Sequence, residues 1–167
     1  MRKAVSIFLL FVLILVPWYI TLFAEREVDV ELSCVANYEL QSVNGNGQRV
    51  RAFGALLNDF FRDGKVYVYY VGSIERYDED STDSYKVNRE GYLHYWLINN
   101  LLLTKTFETQ NLLLDNSPDD LVQRFVYPGF QKDAIGRAFI YRVSEKYWAA
   151  GFSDSPRVLC KTFGREE

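Results

Sequence analysis

The sequence predicts a β-rich α+β domain that follows one apolar segment near the N-terminus. Three observations predict this fold class. Residues 4–24 contain no charged side chain, residues 28–40 alternate apolar and polar side chains, and turn residues recur between the later apolar runs. Alternation with period two is typical of a half-buried strand, and several strands with one or two helices make an antiparallel α+β fold. The composition, 49% hydrophobic and 25% charged, is that of a globular chain.

The apolar segment at residues 4–24 predicts a transmembrane signal anchor. At about 1.5 Å per residue it spans roughly the 30 Å of a bilayer core. A cleaved signal peptide is the alternative, but its apolar region is typically about 7–15 residues long and ends in a small-residue cleavage site. Arg2 and Lys3 precede the segment. The positive-inside rule therefore predicts a cytoplasmic stub of residues 1–3 and an exported domain of residues 25–167.

The two cysteines, Cys34 and Cys160, lie near opposite ends of the exported domain. An even pair of cysteines in an oxidising compartment predicts a disulfide. The alternative is two buried free thiols. A disulfide that closes such a long loop stabilises the fold by roughly 4–5 kcal/mol in the chain-entropy model.

Charge and composition exclude several functions of the exported domain. Arg2 and Lys3 are two of the 19 basic residues, so residues 25–167 carry 17 basic residues against 22 acidic ones. A net acidic domain is a poor direct ligand for nucleic acid. One histidine and two cysteines cannot supply the usual zinc cage. No phosphate loop, nucleophile elbow or metalloprotease motif is present, so we expect no metal, no cofactor and no enzymatic activity.

The exported domain divides into strands joined by short turns. The predicted strands cover residues 28–40, 49–55, 65–77, 85–97, 101–109, 136–144, 147–153 and 157–162. Residues 56–61 either extend the second strand or form a turn, and residues 78–84 form a polar acidic loop. One helix is predicted after residue 117, with Ser117 as its N-cap and Pro118 at its first position. The helix ends before Pro128.

Aromatic side chains crowd two of the predicted strands. Tyr67 and Tyr70 lie on one strand, and Tyr92 and Trp96 lie on the next. These residues either form the ordinary core of a small β domain or line an apolar cavity or interface. His94, the one histidine, lies among them. It is either a hydrogen-bonded strand residue or a pH switch, because histidine titrates near neutral pH.

Short motifs of the exported domain resemble those of the FidL-like proteins of enteric bacteria, and most closely the Yersinia members placed beside fimbrial operons. These motifs are the early Cys34, the Asn88-Arg89 pair before an aromatic strand, the Pro-Asp segment of residues 115–120 followed by Phe125, and the ending Pro156-x-x-x-Cys160. The resemblance covers most of the exported domain.

The resemblance implies a periplasmic domain anchored in the bacterial inner membrane, broadly similar to ToxS- and VtrC-like proteins. Such proteins stabilise and tune a ToxR-like single-span DNA-binding regulator that controls virulence or fimbrial genes. In the VtrC-like case the chain supplies a lipocalin-like half-barrel, and the two periplasmic domains together hold a bile-salt-like ligand. A stub of residues 1–3 cannot contact DNA, so the chain itself also predicts that the output passes through a partner. The alternative function is a periplasmic chaperone or assembly factor for surface fibres, which would use exposed strand edges.

Overall fold

The computed structural model describes residues 31–43, 45, 47–78 and 81–163, together with Val12, Leu15 and Val16. The predicted stub of residues 1–3 and, apart from those three positions, the predicted anchor of residues 4–24 lie outside the described residues. Within the described part of the chain, no helix combines the length and the apolar character needed to cross a membrane.

In the described residues, eight antiparallel strands form one closed barrel. They are β1 (Leu32–Val43), β2 (Arg49–Phe60), β3 (Lys65–Tyr77), β4 (Thr82–Ile98), β5 (Leu101–Asn111), β6 (Ile135–Arg142), β7 (Tyr147–Gly151) and β8 (Pro156–Thr162). Each strand pairs with the next one along the chain, and β8 pairs with β1 to close the ring. The prediction of a β-rich antiparallel fold is confirmed. The expected half-barrel is wrong, because the described strands close the ring without a partner.

The seam between β1 and β8 is the shortest of the eight strand pairings. Its ladder joins Cys34 to Thr162 and Val35 to Lys161. By contrast, β1 pairs with β2 from Leu32 to Val43 along its whole length. The disulfide between Cys34 and Cys160 crosses this seam, with the two Cα atoms 5.5 Å apart. The predicted disulfide is therefore confirmed, and it fastens the barrel where hydrogen bonding is shortest.

All eight predicted strands are present, and each strand end that was predicted within the described residues lies within three residues of the prediction, except that β2 is longer by five. The ends of β6 and β7 were predicted two residues too late. Two extensions have a structural reason. The ambiguous residues 56–60 continue β2, because Leu56 and Phe60 point into the core while Leu57 is half-buried on the outer face. Residues 82–84, predicted as part of the acidic loop, belong to β4 and pair with Glu75, Arg76 and Tyr77 of β3. Cross-strand ion pairing explains the second extension, since Arg76 lies 2.5 Å from Asp83.

Helix α1 (Asp119–Phe125) and a 3-10 helix (Pro128–Phe130) connect β5 to β6; α1 contacts β3, and the 3-10 helix contacts β4, β5 and β6. Val122 and Phe125 of α1 are buried. The expected Ser117 N-cap is wrong, because Pro118 holds that position and no side chain caps the helix. The Ser117 hydroxyl instead donates to the Asp115 carboxylate at 2.7 Å.

A buried arginine holds the segment before α1 against the barrel. The Arg89 guanidinium lies 3.1 Å from Asp115 and 2.6 Å from Asp119, and it donates to the Ser117 carbonyl at 2.7 Å. Burial opposes ionisation of Asp115, but hydrogen bonds from Asn88, Ser117 and Arg89 hold the pKa of its carboxyl below its usual value. Paired and hydrogen-bonded, the charge of Arg89 can remain inside the barrel.

Candidate functional site: the barrel cavity and the outer aromatic patch

The barrel contains a cavity of about 260 Å³ that is lined mainly by apolar side chains. Every strand except β3 contributes to its wall, as do Val126 and Tyr127 after α1. Among the described residues, six aromatic ones line it: Tyr38, Phe60, Tyr95, Tyr127, Trp148 and Phe152. The disulfide cysteines Cys34 and Cys160 also form part of the wall.

Small side chains on the short strands explain why this part of the barrel is hollow. Ala138 on β6 and Ala150 and Gly151 on β7 line the cavity. Opposite them, the interior is filled by Val66, Val68, Tyr70 and Ile74 of β3, which belong to the main core. Because interiors pack densely wherever side chains are large enough, the run of small residues leaves space.

A few polar groups stand in this apolar wall. The phenol of Tyr38 donates to the backbone carbonyl of Phe125 at 2.8 Å, and the phenol of Tyr95 donates to that of Phe61 at 3.0 Å. Asn58 contributes an amide, and the exposed residues Arg137 and Arg157 border the cavity. An apolar wall with a small number of placed polar groups is typical of small-molecule sites.

The sequence-predicted ligand residues do not line this cavity. Tyr70 points into the barrel but is fully buried in the core, where its ring meets that of Tyr38 edge-on, with centroids 6.1 Å apart. Burial raises the pKa of the Tyr70 hydroxyl. Tyr67, Tyr92 and Trp96 lie on the outer face of the barrel instead. The four residues therefore do not lie on one face of the barrel, and of the three alternatives the single shared cavity does not describe this chain.

The three outward residues belong to an outer aromatic patch, which we define as Tyr67, Tyr92, His94, Trp96 and Phe107. Ring contacts connect it: Tyr67 to Tyr92 at 5.1 Å, Tyr92 to Phe107 at 6.3 Å, Phe107 to His94 at 4.7 Å, and His94 to Trp96 at 6.4 Å. Trp96 is 53% exposed. Tyr67 donates a hydrogen bond to Glu90 at 2.9 Å; burial, reinforced by that bond, raises the pKa of its hydroxyl.

His94 is exposed at the centre of this patch, with Lys65 and Lys105 directly opposite it on the two neighbouring strands. A protonated His94 would add positive charge to a row that already holds two cations. Its role as a pH switch stays a prediction.

Of the predicted acidic loop, Glu79 and Asp80 lie outside the described residues, while Asp78 and Asp83 both lie within 4 Å of Arg76, at 3.7 and 2.5 Å.

Only the alternation of side chains along the strands indicates, from the sequence, which residues could line the cavity. Side chains on a strand alternate between its faces, so Tyr67 and Tyr70 cannot share a face, and neither can Tyr92 and Tyr95. Within residues 92–96, this alternation places Tyr95 on the opposite face of β4 from Tyr92, His94 and Trp96. The alternation of residues 28–40 predicts that Tyr38 and Cys34 lie on the same face of β1, and this is confirmed because both side chains line the cavity. The alanines of β6 and β7 carried no such signal.

Comparisons with known proteins add no relative: no protein-family model matches the chain, and no curated protein matches it. The resemblance to FidL-like proteins therefore stays a prediction.

Proposed function

We propose that this chain is a non-enzymatic, FidL-like co-component whose barrel binds a small apolar ligand and thereby tunes a membrane regulator. In this proposal residues 4–24 anchor the chain in the bacterial inner membrane, and residues 25–167 lie in the periplasm. The partner is a ToxR-like single-span DNA-binding regulator of virulence or fimbrial genes, which the chain also stabilises.

The observation that carries the proposal is the apolar cavity inside a closed antiparallel barrel, an arrangement like that of the lipocalins. Eight-stranded barrels of this size are just wide enough to hold one small ligand. The cavity of about 260 Å³ is slightly smaller than the range of roughly 300–1,000 Å³ that is usual for ligand pockets, so it suits a small ligand. Among the described lining residues there is no histidine, carboxylate or free thiol, a composition that suits binding rather than acid–base chemistry.

The outer aromatic patch supports contact with a partner protein. Aromatic residues are enriched at protein interfaces, where they supply large contact area with little loss of side-chain freedom. Because the described barrel is closed, the regulator would dock on this outer face and would not add strands to the ring. The same closure argues against the fibre-chaperone alternative, since each described strand pairs with a neighbour on both sides.

A cavity-filling variant tests ligand sensing separately from partner stabilisation. Ala150→Leu inserts a larger side chain into the cavity wall and should abolish ligand-dependent output while the regulator persists at its normal level. Ala55→Leu, on the outer face of β2, is the matched control and should respond normally. Deletion of the whole chain should lower the regulator's level. If the regulator persists and responds normally in the deletion strain, the proposal is wrong.

The predicted topology is tested by fusing alkaline phosphatase after Glu167. The enzyme is active only outside the cytoplasm, so the fusion should be active and should sediment with membranes. An inactive fusion contradicts the periplasmic placement. Activity recovered in the soluble fraction contradicts the retained anchor.

A further inference from the structure

Arg157 stands at the cavity wall on a local irregularity of β8. The pairing between β7 and β8 joins Ala150 to Val158 and Gly151 to Pro156, which leaves Arg157 as the extra residue of a bulge. Bulges redirect side chains from the regular alternation of a strand. The Arg157 guanidinium lies over the Phe152 ring, 4.3 Å from its centroid, and both residues line the cavity.

The positive charge of Arg157 acts electrostatically on Tyr38, which lines the cavity. Burial raises the pKa of the Tyr38 hydroxyl, and the charge of Arg157 opposes that rise. In the described part of the chain, no carboxylate lies within ion-pair distance of Arg157. This is notable in an exported domain with more acidic than basic residues. Among the described residues, Arg137 also borders the cavity, but Arg157 is the cation whose charge acts on Tyr38 in the wall, and no described carboxylate pairs with it.

The size of the cavity limits the apolar part of any ligand whose anionic head group pairs with Arg157. At about 260 Å³ the cavity is smaller than most ligand pockets, which measure roughly 300–1,000 Å³, so a slender ligand suits it best. An unbranched chain of medium length is slender, whereas the fused rings of a bile salt are bulkier.

We propose that the cavity binds an unbranched medium-chain carboxylate, with its head group at Arg157 and its chain along the wall that Trp148 and the disulfide of Cys34 form. This assignment rests on the proposed function, in which the barrel binds an apolar ligand. It differs from the bile-salt-like ligand that the family resemblance implies. Arginine suits the head group because its planar fork pairs with both oxygens of a carboxylate.

Photolabelling of the full chain in membranes tests the assignment. Membranes are incubated with decanoate carrying a diazirine on its chain, irradiated and digested, and labelled peptides are identified by mass spectrometry. We expect label on cavity-wall peptides, with decanoate competing at roughly fivefold lower concentration than decanol. Cholate should compete less well than decanoate. Arg157→Gln should remove the preference for decanoate, and Lys161→Gln, an exposed cation on the same strand, should keep it.

The competitors and the controls distinguish the possible failures. If decanol competes as well as decanoate, if cholate competes equally, or if Arg157→Gln retains the preference, the carboxylate assignment is overturned while apolar binding stands. If neither the decanoate probe nor a matching decanol probe labels the cavity wall, ligand binding itself fails, and the proposed sensing function falls with it.

Discussion

Gly54 on β2 and Gly72 on β3 lie directly opposite each other inside the barrel, and the phenol ring of Tyr70 lies over both. A Cβ on Gly54 would collide with the Val71 carbonyl, and one on Gly72 would collide with the Phe53 carbonyl. The two glycines therefore allow the strands to approach closely while a large aromatic ring fills the interior.

Gly72→Ala should destabilise the barrel, because the added methyl group meets backbone atoms that cannot move without separating β2 from β3. We expect a loss of about 1–3 kcal/mol in the free energy of unfolding, measured by urea denaturation. Gly45→Ala makes the same substitution in the β1–β2 turn, where no atom lies within 4 Å of the new methyl group, and should change stability by less than about 0.5 kcal/mol. Equal stability of the two variants would contradict the close approach.

Tyr70→Phe and Tyr38→Phe should differ in their effects on stability. The Tyr70 hydroxyl is buried and has no hydrogen-bond partner among the described residues, so its removal should be neutral or stabilising. The Tyr38 hydroxyl donates to the Phe125 carbonyl, so its removal should cost about 1 kcal/mol. Thermal unfolding of both variants measures the difference. A destabilised Tyr70→Phe would reveal a partner for that hydroxyl.

Cys34→Ser should destabilise the fold by roughly 2–5 kcal/mol, because it releases a loop of 126 residues and the seam that the disulfide fastens. The protein's level in the cell should fall accordingly. Adding Cys160→Ser to the same chain should have little further effect, since the covalent link is already lost. A double variant as stable as the wild type would show that the disulfide contributes nothing.

Asp115→Asn should cost about 3 kcal/mol near neutral pH, because it leaves the buried charge of Arg89 with only the exposed carboxylate of Asp119 as a partner. The folded-state pKa of Asp115 lies below its unfolded value, so its contribution is fully present above about pH 4 and is lost as pH falls through the folded pKa. Denaturation curves should therefore show a constant difference between about pH 5 and 7 that shrinks in stronger acid. A difference that shrinks already between pH 5 and 7 would contradict this assignment.

Local patterns predicted most of the strands. Residues 65–77 were predicted as a strand with the same bounds as β3, since valine and tyrosine favour strands and Gly64 and Asp78 delimit the run. The end of β2 was ambiguous because Leu56 and Leu57 are both apolar, and alternation disappears where both faces of a strand are covered.

Closure and the cavity depend on contacts that are distant in the sequence. The seam joins β1 to β8 through two residue pairs, and no local pattern shows whether terminal strands meet. The cavity results from the small residues Ala138, Ala150 and Gly151 facing larger ones across the barrel, a relation that only the closed ring defines. Strand parity could have separated Tyr70 from the outward aromatic residues, but it does not indicate which face is inside.

If the proposed regulator docks on the outer aromatic patch, Trp96→Ser should weaken that interaction without destabilising the barrel. The Trp96 side chain is 53% exposed, so its removal costs little folding energy, whereas truncating an aromatic side chain at the centre of an interface commonly costs at least 2 kcal/mol of binding. We expect less regulator to co-purify with the variant and a lower regulator level in the cell. Leu113→Ser, 83% exposed on the loop before α1, is the matched control and should co-purify normally. The patch is not the docking surface if both variants retain the regulator equally, or if Leu113→Ser alone loses it.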